Sequence, residues 1–179
     1  MKRLWMLCVC VWLTACVGVP DGVKPVNNFE LERYLGTWYE VARLDHSFER
    51  GLTNVSATYR MRSDGGVAVL NRGYDAVDKR WKEADGKAYF VESPDSGYLK
   101  VSFFGPFYGA YVVFELEAAA YQYAFVSGPD HEYLWLLSRT PQVSEQVKQA
   151  FLDASATAGF DTDALIWVNQ KSVSEVAKP

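Results

Sequence analysis

Two histidines and three cysteines are all that this chain of 179 residues offers in soft or imidazole ligands and thiol nucleophiles. Metal centres and activated nucleophiles draw on such residues in clusters. Here His46 and His131 stand far apart, each in a segment of turn-forming residues where a histidine is normally solvated. The chain has no Gly-x-Ser-x-Gly elbow, no P-loop and no His-Glu-x-x-His motif. Its 22 Asp and Glu mostly fall on the outward side of alternating strand patterns, so no carboxyl pair is nominated as general acid and base. No catalytic residue, metal or cofactor is assigned, and an enzyme is not expected. A net charge of −4 and a pI near 5.2 also speak against a nucleic-acid surface, which needs a basic excess.

One cysteine does sit where a specific reaction is expected. Lys2 and Arg3 precede an apolar run, Leu4 to Leu13, that is too short to span a bilayer as a helix but has the proportions of a secretory signal. The run ends in Leu13-Thr14-Ala15-Cys16, which resembles the bacterial lipobox. The resemblance implies cleavage after residue 15 and acylation of Cys16, palmitate among the chains, with each buried methylene contributing about 0.8 kcal/mol to anchoring. Cys8 and Cys10 leave with the signal, so no intramolecular disulfide is possible and packing alone must hold the domain. Val17 rather than Asp follows the cysteine, which points to the outer membrane, with the soluble domain in the periplasm. Residues 16–28, containing Gly, two Pro and two Asn, read as a lipidated tether ahead of a domain over 29–179.

That domain is a string of strands. Turn signals recur about every 8 to 12 residues, the spacing of an antiparallel sandwich or barrel. Strands are predicted over 38–44, 53–62, 66–74, 81–91, 98–104, 110–117, 121–127 and 133–138. Asp64-Gly65-Gly66 and Ser93-Pro94-Asp95-Ser96-Gly97 are the clearest turns. After Pro141 the period becomes helical, with Val143, Val147, Ala150, Phe151 and Ala154 on one face and Gly159 as the stop. A short final strand is predicted over 164–169. The expected fold is all-β: an eight-stranded antiparallel up-and-down barrel with one C-terminal α-helix and a short final strand. A sandwich is the alternative.

Gly36-Thr37-Trp38-Tyr39 is similar to the Gly-x-Trp signature of the lipocalin family, and Leu137-Ser138-Arg139-Thr140-Pro141 to that family's arginine after the eighth strand. With KVSFFGPFYG between them and a lipobox ahead, the resemblance spans nearly the whole mature chain and is strongest to the bacterial outer-membrane branch. The family's middle Thr-Asp-Tyr motif is replaced by Leu116-Glu117-Ala118. In an up-and-down barrel the start of the first strand and the end of the eighth share one rim. Gly36, Trp38 and Arg139 therefore form the structural closed end, with the guanidinium over the indole.

Alternation along each strand then assigns the interior. Trp38 inward brings Glu40 and Ala42 inward, and Arg139 brings Leu137, Trp135 and Tyr133. Outward Arg60 and Arg72 leave Ala57, Tyr59, Val69 and Asn71 inside, while outward Lys87 and Lys100 leave Ala88, Phe90, Val101 and Phe103. Val126 follows from its small-residue face, and the resemblance places Tyr111 and Val113 inward although they share parity with Glu115. The result is a mostly apolar ligand-binding interior with a few polar groups, in a barrel wide enough for one small ligand. Phe48, Phe107 and Tyr108 mark the open rim.

The resemblance implies a lipid-anchored carrier or store for a hydrophobic or amphipathic ligand, a fatty acid or lysophospholipid. The competing classes are a lipid-modifying enzyme on the same barrel, and an interaction protein that docks a partner or forms a homodimer through its open-rim aromatics.

Overall fold

The computed structural model describes residues 17–170; the signal, Cys16 and residues 171–179 lie outside the described residues. Eight antiparallel strands close on themselves: β1 (Gly36–Arg43), β2 (Leu52–Met61), β3 (Val67–Asp75), β4 (Arg80–Phe90), β5 (Tyr98–Phe104), β6 (Phe107–Leu116), β7 (Tyr123–Ser127) and β8 (Leu134–Ser138). Each pairs with its successor, and β1 pairs with both β8 and β2. The expected barrel is the observed one. It abolishes the exposed sheet edges that an open β-sheet would present.

A four-residue helix, α1 (Leu31–Tyr34), lies under the closed end; it has no counterpart in the sequence reading, being too short for a periodic signal. The long helix α2 (Glu145–Thr157) starts where Ser144 Oγ caps Val147 N. It stops at Gly159, whose φ of +90° few other residues tolerate. Phe151 is fully buried from α2 against Phe125 on the barrel's outer surface, whereas Ala150 is exposed and Ser155 completes the buried face.

The final strand is shorter than expected, β9 (Ile166–Trp167), after a single 3₁₀ turn. It has a definite task. β1 meets β2 only from Gly36 to Tyr39, and beyond that the seam opens. β9 pairs with Ala42 and Arg43 in the gap, and Gln170 Nε2 donates to Glu40 O and Val55 O, both at 2.8 Å. The C-terminal stretch thus closes the open-rim half of the seam.

Residues 17–28, read as a tether, are docked along the outer wall. Gly18 approaches the Pro129 carbonyl, the Asp21 carbonyl lies 3.1 Å from His131 Nε2, and Val17 O accepts from Tyr98 Oη. Val23 is buried, Val26 exchanges backbone bonds with Gly97 and Val113, and Asn27 bridges Ser96. The segment therefore lies against the β7–β8 turn, Ala158 at the end of α2 and the start of β5.

Candidate functional site

The closed end is sealed by the two residues expected to do so. The Arg139 guanidinium carbon stands 3.9 Å from the Trp38 ring centre. Its three nitrogens also donate to carbonyls: Nη1 to Thr37 at 3.0 Å, Nη2 to Arg33 at 2.7 Å and Nε to Tyr121 at 3.3 Å. Trp38, with no exposed surface, donates Nε1 to Tyr34 O at 2.8 Å. Gly36 has φ +95°, and a side-chain carbon there would press on Arg139 Nη1. In the neighbouring β6–β7 turn the Glu117 carboxylate accepts from Ala119 N and Ala120 N at 2.8 and 2.9 Å, so it organises the turn in place of the motif's aspartate.

Above this plug lies a layer of phenols. Tyr111 Oη bonds to Tyr34 Oη at 2.7 Å and to Tyr59 Oη at 2.8 Å. Burial pushes all three phenols above the ordinary tyrosine pKa and keeps them protonated. The rest of the lining is apolar: Ala57, Val69, Ala88, Val113 and Val126 are buried, and Phe90, Val101, Phe103 and Trp135 pack on them half-buried. Asn71 also faces in, with Oδ1 buried and unbonded. These residues share the inner face that alternation along each strand gives them.

Strand β6 shows why its parity conflicted. A bulge between Val113 and Glu115 resets the alternation, so Tyr111 and Val113 face in while Glu115 is outside.

Ala42 is a correction. A second bulge, between Glu40 and Ala42, inserts Val41 into β1, and both Val41 and Ala42 turn to the outer core under α2. The same shift brings Arg43 inside, where strict alternation along β1 would turn it outward. Arg43 Nη1 donates to Glu40 Oε1 at 2.6 Å and Nη2 to Glu49 O at 2.8 Å, with 1% of Arg43 exposed. Glu49 Oε2 accepts from Trp135 Nε1 at 3.2 Å. Burial, then the Glu49 charge, push the Glu40 carboxyl well above the usual range despite Arg43, and burial raises Glu49 as well. A facing carboxyl pair therefore exists here: Glu40 is buried on the inner side that alternation predicts, and Glu49, which alternation does not reach, is buried beside it from the β1–β2 connection.

His46 is likewise buried rather than solvated. It stacks on Phe48 at 4.2 Å and tilts against Trp135 at 5.1 Å, with Nε2 3.4 Å from Glu49 Oε2. Burial, reinforced by the Arg43 charge, lowers its pKa to about 4. His131, too, is partnered, with Ala158 O at 2.9 Å from Nε2. Tyr133 precedes β8 and joins the rim stack with His46 and Phe48 instead of lining the wall. Phe48 and Phe107 are exposed at the rim; Tyr108 lies on the outer wall against Tyr89 and Lys100.

The interior is therefore graded: an aromatic floor, an apolar wall and a charged collar. Such a division suits a molecule with a long apolar part and a polar head. Among the described residues, no group of three His, Cys, Asp or Glu is placed to hold a metal ion.

Comparison with known proteins agrees with this architecture. The family model for a lipocalin-like domain matches residues 29–170. The outer membrane lipoprotein Blc of Vibrio cholerae is 60% identical over 171 residues, covering 96% of this chain and all of that one. Its namesake in Escherichia coli K12 is 55% identical over 151 residues, covering 84% and 85%. Temperature-induced lipocalin-1 of Arabidopsis thaliana is 32% identical over 152 residues, 80% of each chain. Among solved structures, insecticyanin from Manduca sexta superimposes with a TM-score of 0.68 at 22% identity over 88% of each chain, a likeness of fold.

Proposed function

The chain belongs to the lipocalin family, and from that premise we propose that it is a lipid-anchored binding protein for a fatty acid or lysophospholipid held in the barrel. The relatives named outer membrane lipoproteins support an outer-membrane location and a hydrophobic ligand. Acylation of Cys16, with the domain in the periplasm, is the matching anchor. The observation that carries the reading is the graded interior. The acyl chain runs between Val69, Ala88, Val113 and Val126 toward the phenol layer, and the polar head stops at Glu40, Arg43 and Glu49.

Trp135 sits where wall meets collar and reports on occupancy. Titrating purified protein with oleate or lysophosphatidylethanolamine is expected to change its fluorescence saturably, with unaltered lipid recovered by mass spectrometry. No change and no retained lipid would overturn the proposal; recovery of cleaved lipid would replace binding by catalysis.

A further inference from the structure

Met61 ends β2 at the closed end of the barrel and is 49% exposed, unusual for a large apolar side chain beside a sealed floor. It lines a groove of about 440 Å³ on the outside of that end. The start of α1 forms one side of the groove, and the β2–β3 and β4–β5 turns form the other. Phe29, Leu31 and Phe90 complete its floor with hydrocarbon. Phe29 packs between Phe90 and Tyr34, with ring centres 6.1 and 5.0 Å away, and so parts the groove from the phenol layer inside. Sites for small molecules have this size and this mostly apolar lining.

The rim of the groove carries one sign of charge. Glu30, Glu32 and Asp95 line it and are exposed, and no Lys or Arg among the described residues does so. Arg33 pairs with Glu30 at 3.0 Å but otherwise turns away, to the Ala118 and Ala119 carbonyls at 3.0 and 2.8 Å. Glu32 and Asp95 have no ion-pair partner among the described residues. The two sides are tied together, because Phe29 N donates to Asp95 O at 2.8 Å. Hydrocarbon beneath uncompensated carboxylates repels a fatty acid and favours an apolar body with a positive head. The ring faces of Phe29 and Phe90 attract an ammonium group, and the flexible thioether of Met61 adapts to an irregular alkyl surface.

We propose that this groove is a second binding site, separate from the barrel interior, and that it takes an amphipathic organic cation. The alkyl or aryl body lies on Phe29, Met61 and Phe90, and the ammonium sits among Glu30, Glu32 and Asp95. The two sites differ in the charge they select and fill independently.

Met61 is also the reporter, because the other two methionines, Met1 and Met6, lie in the signal. The full chain, isotopically labelled at its methionine methyls, is placed in phosphatidylcholine nanodiscs, and Met61→Leu assigns the resonance. Octyltrimethylammonium is expected to shift the Met61 methyl saturably and to bind about tenfold more tightly than octanol, the factor that a few exposed charge contacts supply. Glu32→Lys combined with Asp95→Lys should abolish that preference and leave the near-ultraviolet circular dichroism of the domain unchanged. If the double variant fails to fold, the wild-type ratio of cation to alcohol decides alone. No saturable shift, equal affinity for octanol, or a preference that survives in the folded double variant overturns the proposal. A Met61 methyl that shifts with the number of chains per disc, before any cation is added, assigns the groove to a second copy and overturns it as well.

Discussion

Arg43 donates to Glu40 across 2.6 Å, three positions apart on one strand and both facing inward, which regular β-alternation forbids. The bulge at Val41 makes the pairing possible, and the pair is almost wholly out of water. Removing one partner of such a pair leaves an uncompensated charge and costs about 3–5 kcal/mol. Arg43→Met is therefore expected to lose about that much stability by urea unfolding at pH 8. The loss should shrink toward pH 5 as Glu40 takes up a proton. A loss that does not vary with pH would show that Arg43 acts through packing.

His46 gives a second dependence on pH. Its folded pKa, about 4, lies below the ordinary value of 6.5. Its stabilising contribution is then complete above pH 6.5 and is lost as pH falls toward 4. Glu40 and Glu49, whose carboxyls burial pushes upward, work the other way and are relieved as pH falls, so wild type alone shows the balance of the two. His46→Gln removes one contributor. The difference in midpoint between wild type and variant should narrow steadily from pH 7 to pH 4; a constant difference would contradict the buried neutral imidazole.

The phenol layer makes a prediction about removing a single oxygen. Tyr111 is the central member, bonded to both Tyr34 and Tyr59. Tyr111→Phe strands two buried hydroxyls and should cost about 1–3 kcal/mol. Tyr34→Phe strands none completely, because Tyr59 remains on Tyr111, and should cost less. Equal costs by chemical denaturation would refute the chain of bonds.

Trp38→Ala empties the plug beneath Arg139 and is expected to cost about 3–5 kcal/mol. A variant that melts no earlier than wild type would show that Arg139 seals the end without the indole.

Ala57 is the register partner of Trp38, so it stands at the level of the floor. Ala57→Phe should shorten the space available to an acyl chain. Measured by Trp135 fluorescence, affinity for long-chain lysophospholipids should fall while that for short-chain ones is retained. An equal loss for both would place the acyl end elsewhere.

The barrel, its closed end and most of its wall are legible in the sequence because they rest on local signals: turn residues, alternation and two short motifs at Trp38 and Arg139. What escapes is set by partners. A bulge is visible only when the neighbouring strand fixes the register, so plain alternation puts Ala42 inside. Phe114 likewise hid the reset that puts Tyr111, Val113 and Glu115 on their proper sides. His46 looks solvated until Phe48, in the same loop, and Tyr133 and Trp135, from β8 and the turn before it, close around it. The docking of residues 17–28 depends on the receiving surface of β5, β6 and the β7–β8 turn, and composition alone suggested a free tether.

The extra residue in β1 acts on the strand as a one-letter insertion acts on a message: everything after it is read in the other phase. Before Val41, even positions face the interior; after it, odd ones do. Losing that residue should therefore do less harm than gaining another. A chain lacking residue 41 falls back to plain alternation with Glu40 inward, Ala42 outward and Arg43 inward, whereas one residue inserted between Ala42 and Arg43 turns the Arg43 guanidinium into the apolar seam beneath α2.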